Sequence, residues 1–81
     1  MEVKVKIGQR IKVLREKIQM SQKDLAYSAD LDRSYIASVE NGSHNISIVN
    51  IEKIATALEV TLKEFFNDVE FDNTTERTKR N

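Results

Sequence analysis

The run from Ser21 to Gly42 carries two helix-start signals about a dozen residues apart, so it has room only for two short helices joined by a tight turn. Ser21, with Asp24 three positions on, offers a hydroxyl to an orphan backbone N–H and puts an acid in the positive first turn. Leu25, Ala26 and Ala29 give that first piece one apolar side. Asp32 is a second N-cap, and Ile36 and Val39 then lie one turn apart on a face that must be buried. Only Ala29-Asp30-Leu31 separates the two pieces, too little for a flexible loop, and Asn41-Gly42 supplies a left-handed stop.

The rest of the chain is helical by the same arguments. It has no proline, and its only glycines are Gly8 and Gly42, so strands and turns have little punctuation. Ile7, Ile11, Leu14 and Ile18 recur at helical spacing and predict a first helix over about Val5 to Gln19, with Arg10, Lys12, Arg15, Glu16 and Lys17 on its other faces. Ser47 is placed to cap a fourth helix whose apolar face is Ile48, Ile51, Ile54, Ala55 and Leu58. Thr61 and Glu64 form a capping box for a short fifth helix carrying Leu62, Phe65 and Phe66. The expected fold is all-α, a compact five-helix bundle. Residues 1–68 form one domain, and the polar run 69–81, with Val69 and Phe71 as its apolar residues, is expected to be an extended or loosely packed tail.

Composition narrows the function classes. At 81 residues a single core is thin, and dimerisation commonly adds the missing buried surface, so a homodimer is expected. No apolar run approaches the roughly 20 residues that span a bilayer, and Met1 to Gly8 lacks the apolar core of a signal peptide; a cytoplasmic location is the simplest expectation. With no cysteine, one histidine, no glycine-rich phosphate loop and no spaced carboxylate pair, nothing points to an enzyme, a cofactor or a metal site. The 13 basic residues cancel the 13 acidic ones, but unevenly. Residues 1–42 hold eight Lys or Arg against six Asp or Glu, a balance of +2, while residues 43–68 hold two against four, a balance of −2. The excess of positive charge sits with the paired short helices.

Two short helices around a tight turn, the second with a polar outer face, outline a helix-turn-helix that can set its second helix in the major groove of DNA. The Ser-Gln-Lys-Asp-Leu-Ala start at Ser21 and the Tyr-Ile-Ala-Ser-Val-Glu-Asn-Gly end at Gly42 make the chain similar to the Xre or lambda-repressor-like family over about Ile7 to Phe66. Within it, Leu31-Asp32-Arg33-Ser34-Tyr35-Ile36 followed by Asn45-Ile46-Ser47-Ile48 most resembles the controller proteins of restriction–modification systems. Asn41 and His44 stand where such controllers often place arginine.

The resemblance implies a homodimeric regulator that binds double-stranded DNA at a palindromic operator, activating at low level and repressing at high level. Base contacts fall to Arg33, Ser34 and Ser38, on the side away from Ile36 and Val39. Arg33 can pair bidentately with guanine O6 and N7; its alternative is a surface ion pair with Asp30 or Asp32. Phosphate contacts fall to Gln22, Tyr35, Asn41, Ser43, His44 and Asn45, where amides, hydroxyls and exposed N–H groups can hold an anion. Arg15 and Glu40 match the family's structural ion pair, and Ile48, Phe65 and Phe66 are the candidate dimer contacts. An RNA polymerase contact would need a surface patch, for which Asp30, Glu40 and Glu52 are available. The competing readings are a phage-type repressor, an antitoxin-like regulator, or an interaction module that keeps the fold without binding DNA.

Overall fold

The computed structural model describes residues 2–72. Among them are five α-helices: α1 Val3–Lys17, α2 Gln22–Ala29, α3 Arg33–Glu40, α4 Ile48–Ala57 and α5 Leu62–Phe65, followed by a 3-10 turn at Val69–Phe71. The core joins Ile7, Ile11 and Leu14 of α1, Leu25, Ala26 and Ala29 of α2, Ile36 and Val39 of α3, and Ile51, Ile54 and Ala55 of α4, with Leu58 and Phe65 closing one end.

Side-chain caps fix three helix starts. Ser21 and Asp24 form the reciprocal capping box of α2, Thr61 and Glu64 that of α5, and Ser47 Oγ accepts from Asn50 N–H at 3.1 Å to start α4. Asp32 is the N-cap residue of α3, but its side chain makes no capping hydrogen bond. Gly42 ends the α3 segment at φ 81°, and a Cβ there would lie 2.8 Å from Val5 Cγ2 of α1. The other helix stops use Gln19, Asp30 and Glu59 in the same left-handed region, at φ 59°, 58° and 64°.

Two boundaries differ from expectation. The first helix runs Val3–Lys17 because the chain turns left-handed at Gln19, with Met20 N–H donating to Arg15 C=O at 3.0 Å. Ile18 keeps the spacing of the buried stripe but lies beyond the last helical residue and is 44% exposed. The structure also corrects the expected tail. Asp68 accepts from Arg10 Nη1 at 3.3 Å, and the Phe71 ring meets Phe66 edge-on at 5.1 Å, so Val69–Phe71 form a 3-10 turn whose Phe71 packs on the helices while Val69 stays exposed. Residues 73–81 of that tail lie outside the described residues.

Arg10 makes this closure possible, and its position in α1 gave no hint of it. Its Nε donates to Phe65 C=O at 2.6 Å and its Nη2 to Glu64 C=O at 2.8 Å. A cation thus sits on the carbonyl end of α5, where the helix dipole is negative.

Candidate nucleic-acid interface

The second short helix is held from below by packing and from its C-terminal end by charge. Ile36 and Val39 are buried, as their spacing required. Gly8 of α1 faces the last turn of α3 so closely that a Cβ would overlap the Val39 carbonyl and come 2.6 Å from that of Glu40. Only glycine lets these two backbones meet.

Arg15 and Glu40 form the expected ion pair, and it is buried and bidentate. Arg15 Nε donates to Glu40 Oε2 at 2.7 Å and Nη2 to Oε1 at 3.0 Å, while Nη1 donates to Met20 C=O at 2.8 Å. The hydrogen bond with Glu40 raises the Arg15 pKa above its ordinary value, against the opposing effect of burial. Gln22 joins this network, its Nε2 donating to Glu40 Oε1 at 3.1 Å. One carboxylate on α3 is thereby tied to both α1 and α2. Glu40 is closed off from solvent and from any partner, which removes it from the acids proposed for a polymerase contact.

The opposite end of α3 is open. Arg33 and Ser34 are exposed in its first turn, and among the described residues Arg33 pairs with neither Asp30 nor Asp32. Ser38, one turn on, is half-buried, and its carbonyl accepts from Ser43 N–H at 3.1 Å. Tyr35 lies on the flank: its hydroxyl oxygen accepts from Asn50 Nδ2 at 3.0 Å and its ring meets His44 edge-on at 4.8 Å.

The turn after α3 is shaped from inside. Asn41 Oδ1 accepts from both Ser43 N–H, at 3.1 Å, and Ser43 Oγ, at 2.5 Å. Both donors of Ser43 are engaged in the turn, where they set the loop's shape. Asn41, His44 and Asn45 are exposed beside it.

The structure divides the expected dimer residues. Phe65 has no exposed surface, being the largest fully buried side chain of the core, so it makes no direct contact with a second copy. Phe66 is half-buried against Phe65 and Phe71, while Ile48 and Val49 are 62% and 61% exposed on α4. Among the described residues, no group of three or more His, Cys, Asp or Glu side chains could hold a metal ion, and no helix is long and apolar enough to cross a membrane.

The sequence pattern of the helix-turn-helix family HTH_3 matches residues 11–65, the span from mid-α1 to the end of α5. The control protein C.MunI of Mycoplasma sp is 47% identical over 70 residues, covering 85% of this chain and 95% of that protein. The chain belongs to the helix-turn-helix family, among its controller proteins. The crystal structure of the restriction–modification controller protein C.AhdI from Aeromonas hydrophila superposes with a TM-score of 0.75 at 49% identity, covering 78% of this chain and 96% of that one. The C.Esp1396I controller, solved as a tetramer in complex with its natural 35 base-pair operator, gives a TM-score of 0.78 at 39% identity, covering 82% of this chain and 87% of that one.

Sequence reasoning missed Asn50, Gly8 and the bond from Gln22 to Glu40. Gly8 was legible, because a lone glycine inside a helical pattern signals close backbone approach. Asn50 was not: it lies 15 residues from Tyr35, and only the packing of α4 beside α3 joins them.

Proposed function

We propose that this controller regulates transcription within a restriction–modification system by binding a palindromic operator as a homodimer. The observation that carries the reading is an arginine that is exposed and, among the described residues, without an ion pair, in the first turn of a helix held by its buried face and its C-terminal end, the arrangement a major-groove reader needs. Arg33 contacts guanine, and Ser34 and Ser38 contact adjacent bases. Gln22, whose amide keeps an N–H and a carbonyl beyond its bond to Glu40, contacts phosphate with Tyr35, Asn41, His44 and Asn45.

In the dimer the two recognition helices enter successive major grooves about 34 Å apart. Ile48 and the exposed part of Phe66 supply contacts between copies, with Phe65 supporting them from beneath. Activation through RNA polymerase would use Asp30 or Glu52, which are both exposed. The operator complex of C.Esp1396I supports this reading by likeness.

A salt titration of binding to a duplex from the promoter of the protein's own gene tests it. A binder that displaces counterions loses affinity steeply and log-linearly with salt. An interaction module with the same fold would show no binding to lose, the result that contradicts the proposal. Sedimentation of Ile48→Asp against the parent protein tests the dimer, with a shift toward monomer expected.

A further inference from the structure

Tyr35 stands where three segments meet. Its backbone belongs to α3, its ring meets His44 of the following loop, and its hydroxyl oxygen takes a hydrogen bond from Asn50 on α4. A phenol carries one proton and accepts through its oxygen, whereas an amide nitrogen only donates. The Asn50 contact therefore uses the oxygen as acceptor and leaves the Tyr35 proton free of Asn50, with no acceptor for it among the hydrogen bonds of the described residues. Accepting that bond also polarises the O–H and strengthens what it donates.

We propose that Asn50 is a positioning residue for DNA binding, its amide fixing Tyr35 as a hydrogen-bond donor aimed at a backbone phosphate. The proposal rests on the reading of this side of α3 as the DNA face. Asn50 is suited to the part because it is itself held. It is the third residue of α4, it is half-buried, and its backbone N–H is bound by Ser47 Oγ at 3.1 Å. The amide thus projects from a capped helix start rather than from a loop. The same helix end carries backbone N–H groups without intrahelical partners and a partial positive charge, which favours an anion beside the hydroxyl.

A double-mutant cycle on the full chain, with affinity for the same promoter duplex as readout, tests this. Tyr35→Phe removes the donor and is expected to weaken binding roughly tenfold, the scale of a hydrogen bond to a charged group. Asn50→Asp replaces the amide donor by a carboxylate that only accepts, which captures the Tyr35 proton and turns it inward. Its loss should exceed, by roughly tenfold, the loss the same change causes in the Tyr35→Phe background, where only charge repulsion from DNA remains. Equal losses in both backgrounds would overturn the proposal.

Asn50→Ala adds no charge and repeats the test if the aspartate variant folds poorly, with a severalfold loss expected beside Tyr35 and none beside the phenylalanine. Thermal midpoints matched across the set assign the coupling to binding. If Tyr35→Phe binds normally while Arg33→Ala does not, the Asn50 proposal alone fails. If both bind normally, the DNA-face reading fails with it.

Discussion

The two ends of α3 carry charge in opposite ways. At its C-terminal end Glu40 is enclosed, its two oxygens receiving donors from Arg15 and Gln22. At its N-terminal end Arg33 is exposed and unpaired among the described residues. A closed charge specifies how three helices sit together, and an open one remains for a ligand. The same contrast runs through the cations of the mildly basic half. Arg10 and Arg15, two of the eight cations of residues 1–42, are engaged with Asp68 and Glu40 inside the fold.

Breaking the closed end should give the largest effect. Glu40→Ala leaves Arg15 buried without its carboxylate and should destabilise the fold by about 3–5 kcal/mol, read in urea or thermal unfolding. A loss under about 1 kcal/mol would mean the pair behaves as a surface contact. Arg15 has its pKa raised in the folded chain, so the contribution of the guanidinium is fully present below the unfolded arginine range and falls as pH climbs past the folded value, far above neutrality. Gly8→Ala presses a methyl group into the Val39 and Glu40 carbonyls and should cost about 1–3 kcal/mol through overpacking. An unchanged unfolding midpoint would show that α1 and α3 separate easily.

Smaller effects test the supports of the open side. Ser47→Ala removes the cap of α4 and should cost about 1 kcal/mol in urea unfolding. Because Ser47 also anchors Asn50, operator affinity should fall with it, and a stability loss without an affinity loss would uncouple α4 from the DNA face.

Much of this was legible in the sequence because the signals were local. Ser21 with Asp24, Ser47, and Thr61 with Glu64 announced helix starts through contacts spanning three residues, and all three caps are present. Ile36 and Val39 announced the buried face of α3 through one-turn spacing. The misreadings came where spacing outlived the element that gave it meaning. Ile18 continues the stripe of α1 past its end, and Phe65 looked like surplus apolar surface until the chain closed over it. Non-local polar geometry was hidden except where the family resemblance supplied it, as for Arg15 and Glu40; Arg10 reaches carbonyls 54 and 55 residues away. The candidate site was legible by the same division. Arg33 and Ser34 follow from their place in a helix, whereas the engagement of Ser43 with Asn41, and of Tyr35 with Asn50, depends on how turns and neighbouring helices fold.

The central claim is that the closed end of α3 serves the fold while the open end serves recognition. Arg33→Ala tests it most directly when its affinities for operator and scrambled duplex are compared with those of the parent protein at one fixed salt concentration. The claim predicts a loss of about 1–3 kcal/mol in the difference between the two duplexes, with an unfolding midpoint unchanged within about 0.5 kcal/mol. A parent-like ratio of the two affinities, or a fall in stability that accounts for the lost binding, would contradict it.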